Sequence, residues 1–143
     1  MQPIKFVKRE MKPQTLKIAG ETYPAIFNYN AIIEMESVTD LAYSATIYKI
    51  EANYDEYGNL IQDINDIIPR IPVSASEISG LVFGMLKAAG VGVQIQDITD
   101  TLLPTDTKDL IIQVKKILKD QDVKNSKTPT KTSGKSTEKS EKK

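Results

Sequence analysis

The chain has 143 residues and a mass of 15.9 kDa; 40% of it is hydrophobic and 27% charged, with 19 basic groups against 19 acidic ones, as expected of one soluble globular domain. It contains no His and no Cys, which excludes thiol nucleophiles, disulfide frameworks, iron–sulfur and zinc-finger sites, and any mechanism that needs an imidazole. No stretch approaches the ~20 apolar residues of a membrane span, and Met1-Gln2-Pro3-Ile4-Lys5 lacks the charged and apolar regions of a secretion signal, so the expected location is the cytosol.

Residues 1 to 13, with Lys5, Lys8, Arg9 and Lys12, read as a loosely held leader. Gln14 to Ala19 has the β-favouring residues Thr15, Leu16 and Ile18, and Gly20-Glu21 supplies a turn into a second strand over Thr22 to Phe27. Pro24 donates nothing to a ladder, so that strand is an edge or carries its proline on the outer side.

After Phe27 the apolar period changes. Ala31, Ile32, Ile33, Met35 and Val38 recur at three- and four-residue steps behind Asn28 or Asn30 as the cap, which predicts a short helix over 30 to 38. From Leu41 to Gly58 the pattern is ambiguous. Leu41, Ala45, Tyr48 and Ala52 fit a helix, whereas Tyr48, Ile50, Ala52 and Tyr54 alternate as in a half-buried strand; the flanking elements favour helix over 41 to 52. Tyr54 to Leu60 is a turn with Gly58 or Asn59 able to take positive φ.

Leu60, Ile61, Ile64, Ile67 and Ile68 have the spacing of a helix with one buried face, ended by Pro69 and Pro72. Ser74-Ala75-Ser76-Glu77 matches a capping box and opens the strongest helix of the sequence, striped by Ile78, Leu81, Val82, Met85, Leu86 and Ala89 and stopped at Gly90. Gly80 and Gly84 lie four apart on it and permit close approach of a neighbouring helix. Ile95, Ile98, Leu102 and Leu103 predict a short helix before Pro104. In the last helix Leu110, Ile111, Val114, Ile117 and Leu118 line one face, opposite Lys108, Lys115, Lys116 and Lys119. From Asp120 to Lys143 the one aliphatic side chain is Val123, and this Lys-, Ser- and Thr-rich segment is expected to be disordered. It carries +3, leaving −3 on residues 1 to 119. The fold class is thus mainly α: a leader over 1–13, a small helical domain with an N-terminal β-hairpin over 14–119, and a disordered C-terminal tail over 120–143.

Catalytic chemistry finds little support. Asp63 with Asp66, and Asp97 with Asp100, are i, i+3 carboxylate pairs without converging partners; the calcium-loop spacing is missing after Asp55, and no phosphate-binding glycine loop follows a strand. No enzyme activity, cofactor or metal is expected. Tyr43, Tyr48, Tyr54 and Tyr57 fall within fifteen residues and read equally as a contact surface or as an aromatic cluster packed around one turn. The Lys-rich tail has no aromatic or Arg with which to read a base, which disfavours nucleic acid.

Leu16-Lys17-Ile18-Ala19-Gly20-Glu21-Thr22-Tyr23-Pro24-Ala25-Ile26-Phe27 fits a hairpin pattern K-I-x-G-x-x-Y-x-x-x-F, and Ala31-Ile32-Ile33-Glu34-Met35-Glu36 fits a helix core A-I-x-x-[LM]-E. With the helices from Ser76 to Gly90 and from Ile95 to Leu103, this order resembles the tail assembly chaperones of long-tailed, siphovirus-type phages of Gram-positive hosts. The likeness spans roughly residues 14 to 118, and residues 44 to 73 depart from it as an insertion would. The resemblance implies a non-enzymatic factor that binds the tape measure protein, keeps its long helices soluble, helps recruit tail tube subunits, and stays in the host cytoplasm outside the finished virion. A helical groove built from 60 to 68, 76 to 89 and 107 to 118, with Leu81, Val82, Met85 and Leu86 at its centre, is the expected binding face, and the same stripes read equally as core. The face around Val82, Met85 and the Gly80/Gly84 pair is also compatible with self-association. A protein-binding adaptor outside tail assembly and a nucleic-acid accessory protein are the alternatives.

Overall fold

A computed structural model describes residues 6–7, 9–65 and 67–126, with side chains as far as Gln121. The fold is mainly helical with an N-terminal hairpin: strands β1 (Gln14–Ile18) and β2 (Glu21–Ala25), then helices α1 (Tyr29–Thr39), α2 (Tyr43–Asn53), α3 (Ala75–Ala88), α4 (Ile95–Thr101) and α5 (Thr107–Ser126), with a single 3-10 turn over Pro104–Asp106. The described residues divide into two compact units, one drawn from Met1–Tyr43 and Ser79–Leu102, the other from Ser44–Ile78 and Leu103–Lys143.

In the first unit, β1 and β2 pair antiparallel with Ile18 opposite Glu21 and Gln14 opposite Ala25. The connecting residues are Ala19 and Gly20, one position earlier than the sequence reading placed them, and both have positive φ, 52° and 86°. Two left-handed residues in a two-residue loop make the turn whose twist suits a hairpin. Pairing alternates outward from Ile18–Glu21, so Thr15–Pro24 falls at a position without ladder hydrogen bonds and the proline's missing donor is harmless. Leu16, Ile18 and Ala25 are buried while Thr15 and Lys17 face out, the alternation of a half-buried ribbon.

Asn28 caps α1: its side-chain oxygen accepts the Ala31 N–H at 3.1 Å. Ala31, Ile32 and Met35 are buried, whereas Ile33 and Val38 stay on the surface. Gly80 and Gly84 of α3 face this helix. A Cβ on Gly84 would collide with the Ala31 backbone carbonyl, and one on Gly80 with the Thr39 methyl, so the glycine spacing sets close helix packing. The Ile26 N–H donates to the Met85 carbonyl at 3.1 Å, tying the strand exit to the end of α3. That end closes as the sequence indicates: Gly90 takes φ 89° and the Val91 N–H returns to Leu86 O at 3.0 Å. Gln94 opens α4 by donating its N–H to the Asp97 carboxylate at 2.8 Å, and Ile98 is the residue α4 buries.

The second unit contains most of α2, the first turn of α3, and α5. The helical reading of 41 to 52 holds, with Thr46, Ile50 and Asn53 buried on α2. In α5 Leu110, Ile111, Val114, Ile117 and Leu118 are all buried. Two expectations need correction. Helix α5 runs on to Ser126 and buries Gln121, so the first seven residues assigned to the tail are helical; residues 127–143 lie outside the described residues, as do residues 1–5 and 8 of the leader. The helix expected over 60 to 68 is absent among the described residues of that segment. An antiparallel bridge between Tyr54 and Leu60, together with the Ile61 N–H donating to Asn53 O at 2.8 Å, draws the start of the segment out extended. The Asp63 carboxylate then accepts the Asn65 N–H at 2.9 Å. Isoleucine, Asp and Asn are weak helix formers, and nine residues fall short of the length at which a helix stands without support.

Candidate functional site

Connector residues 69–73 are strapped to the C-terminal end of α2. Arg70 Nη1 donates to Ala52 O at 2.8 Å, Asn53 Nδ2 donates to Ile71 O at 2.9 Å, and the buried Tyr54 hydroxyl accepts the Val73 N–H at 3.0 Å. These bonds satisfy backbone groups of a segment that two prolines, Pro69 and Pro72, keep out of regular structure. A cleft of about 480 Å³ opens between this connector and α2, lined by Ala45, Tyr48, Lys49, Asn53, Arg70 and Ile71. A second, of about 320 Å³, lies along Leu60, Ile61, Asp63, Ile67 and Arg70.

Around these clefts the surface is unusually apolar. Ile64 is 98% exposed, Ile67 97%, Ile68 76% and Ile71 61%, and Tyr48 is 67% exposed on α2. An isolated exposed aliphatic residue is ordinary, but four isoleucines within eight positions form a run that folding leaves in water. Each gains roughly 1.5–3 kcal/mol when fully covered, so the run is a strong candidate contact surface.

The ionisable groups beside it are spent on structure. Glu77 is buried at the start of α3: its carboxylate accepts the Thr46 hydroxyl at 2.9 Å, the Lys49 ammonium at 3.0 Å and the Ser74 N–H at 2.9 Å, while Ser74 Oγ accepts the Glu77 N–H at 3.1 Å. The capping box read from the sequence therefore doubles as the anchor of an ion pair between buried Glu77 and half-buried Lys49. Burial pushes the Glu77 carboxyl up, and its three donors outweigh that, holding it below the ordinary carboxylate range. On the turn after α2, the Asn59 and Tyr57 N–H groups, each 2.9 Å from Asp55 Oδ1, likewise lower the Asp55 carboxyl. Neither acid is among the residues that line the two clefts. No group of three or more acidic residues among the described residues could hold a metal ion.

The residues expected to bind a partner separate into two sets. Leu81, Val82 and Met85 have no exposed surface and Leu86 has almost none; the stripe is core, and a groove centred on it would require opening the fold. The amphipathic pattern was the same for either outcome, so sequence alone did not decide it. Tyr43 is half-buried with its ring 6.4 Å from Phe27, and Tyr54 is buried and bonded to the connector; both are structural. Tyr48 and Tyr57 remain on the surface. Ile64, Ile67 and Ile68 were missed as surface because the helix predicted for them assumed a buried face, and Ile71 lay beyond that helix. Pro69 and Pro72, with Asp and Asn between the isoleucines, were the available signal against it.

No family model, curated protein or solved structure matches the chain. No described helix is long and apolar enough to cross a membrane.

Proposed function

We propose that this protein is a non-enzymatic, protein-binding assembly factor of the tail assembly chaperone type: it binds a phage tape measure protein, keeps it soluble in the host cytoplasm, helps recruit tail tube subunits, and is absent from the finished virion. The observation that carries the binding reading is the exposed run Ile64, Ile67, Ile68 and Ile71 beside the cleft under Tyr48. Such a surface suits an amphipathic helix, which offers a matching apolar stripe and would aggregate if left uncovered. The tail-assembly part rests on the resemblance of the hairpin and of the Ala31–Glu36 helix core. The chemistry fits a binder: with no His or Cys in the chain, and with Glu77 and Lys49 committed to each other, little remains for a reaction.

The test is co-expression with a tape measure protein, the partner proposed here. That protein should stay in solution and co-purify with this chain without nucleotide, metal or reducing agent. Equal insolubility with and without this chain would defeat the chaperone reading and leave a general protein-binding adaptor.

A further inference from the structure

We infer that the leader is an arm exchanged between two copies of this chain: Phe6 and Val7 of one copy cover Tyr29 and Ile33 on α1 of the other, and the second arm returns the contact. The inference goes beyond the proposed function and rests on residues of the first unit alone. It begins from two apolar pairs that this unit leaves in water. Phe6 is 84% exposed, with Val7 beside it equally bare, and Tyr29 is 76% exposed, with Ile33 one turn further along the same side of α1. Around the helix, Glu34 and Glu36 lie to either side of Ile33; both are half-buried, and Glu36 also accepts the Tyr43 N–H at 2.9 Å.

Charge matches the two pairs. Residues 1 to 13 carry Lys5, Lys8, Arg9 and Lys12 against Glu10, a net +3. The rest of the first unit carries Lys17 and Lys87 against Glu21, Glu34, Glu36, Asp40, Asp97 and Asp100, a net −4, and α1 itself has no basic residue. An apolar pair bordered by cations thus meets an apolar pair bordered by anions, and every copy supplies one of each. A single chain does not make this contact. The residue before a proline is held extended, as Pro13 holds Lys12, and no turn or bend occurs from Arg9 to Pro13. The five residues before β1 therefore continue ahead of it, a reach of up to ~17 Å, instead of doubling back. Reciprocal exchange covers both arms and both helix faces of a pair, whereas a one-way contact leaves one of each open, so the closed dimer is the complete form.

Sedimentation equilibrium of the full chain tests this. It should show a dimer that weakens as salt is raised. Phe6→Asp and, separately, Ile33→Asp should each weaken the dimer at least tenfold; both residues are exposed, and unchanged melting temperatures would verify that each variant keeps its fold. Mixed together, the two variants should form a pair that neither forms with itself, because the intact arm of the Ile33 variant meets the intact α1 of the Phe6 variant. That pair keeps one contact of two and should be weaker than the parent dimer. The chain has no native Cys, so a nitroxide on Glu10→Cys of an unlabelled copy can be mixed with a 15N-labelled copy, whose amides from Tyr29 to Ser37 should broaden. A chain that stays monomeric, an open-ended assembly in place of a dimer, a dimer that either variant leaves unchanged, no mixed pair, or no broadening between copies would each overturn the inference. None of these measurements involves the tape measure protein, so the proposed function stands or falls apart from them.

Discussion

Lys115 closes helix α2 from a distance of 61 residues: its Nζ lies 2.7 Å from the Tyr54 carbonyl oxygen and reaches Glu51 O at 3.3 Å and Ile50 O at 3.4 Å. The last carbonyls of a helix have no intrahelical donor and carry the negative end of its dipole, so a single ammonium satisfies several of them at once. The connector that carries Ile71 is bonded to this same helix end, through Ala52, Asn53 and Tyr54.

Lys115→Met keeps the aliphatic stem and removes the charge, and it should cost about 1–2 kcal/mol in urea unfolding. Lys116→Met, on an exposed side chain of the same helix, is the control and should change little.

Glu77 makes stability depend on acid. Its carboxyl is held below the ordinary value when folded, so its contribution is complete above the unfolded value of about 4.3 and is lost as pH falls through the lower, folded value. The melting temperature should therefore fall as pH drops below about 5. Glu77→Gln should be less stable at pH 7 by about 1–3 kcal/mol, because it weakens the charge-assisted bonds that Thr46, Lys49 and Ser74 give the carboxylate, and should lose part of the acid dependence. An unchanged pH profile in the variant would assign that dependence to other acids.

Ala19 pays for the hairpin turn with a left-handed backbone, φ 52°, that Asn adopts more readily. Ala19→Asn should stabilise by about 0.5–1 kcal/mol, read as a higher urea midpoint at unchanged slope. Loss of stability would mean that the turn is not of this type.

The two helix-packing glycines should respond unequally. Gly84→Ala drives a Cβ into the backbone carbonyl of Ala31 and should cost about 1–3 kcal/mol despite the better helix propensity of Ala. Gly80→Ala meets the methyl of Thr39, a side chain rather than backbone, and should cost less, although the methyl yields only at the expense of the Thr39 hydroxyl's bonds to Met35 O at 3.0 Å and from the Leu41 N–H at 3.2 Å. Urea unfolding of the pair checks the order.

What the sequence made legible was local. The Ser74–Glu77 box and the Gly90 stop are each written within a few residues and were found where they were read, and of the two caps the sequence offered, Asn28 and Asn30, the fold uses Asn28. The bond from Lys115 to Tyr54 joins residues far apart in the chain, and nothing in a Lys on a polar helix face announces it. Periodicity was informative about α3, whose stripe is buried, and misleading about 60 to 68, whose equally regular stripe leaves Ile64, Ile67 and Ile68 exposed. Spacing records that a face would be apolar if the helix formed; it does not record whether the fold provides a surface to cover it. For the same reason the candidate site moved from Leu81, Val82, Met85 and Leu86, which the fold covers, to Ile64, Ile67, Ile68 and Ile71, which it does not.

The central claim is that the exposed isoleucine run is the surface that holds the partner, and one comparison addresses it most directly. The full chain and its Ile64→Asp, Ile67→Asp variant are each co-expressed with the tape measure protein of the proposed function, and the soluble fraction of that protein is measured. Matched melting temperatures for the two chains would show that the substitutions leave the fold intact. The account predicts that the wild-type chain keeps the tape measure protein in solution and the variant loses at least nine-tenths of that effect. Equal retention by both chains would contradict it.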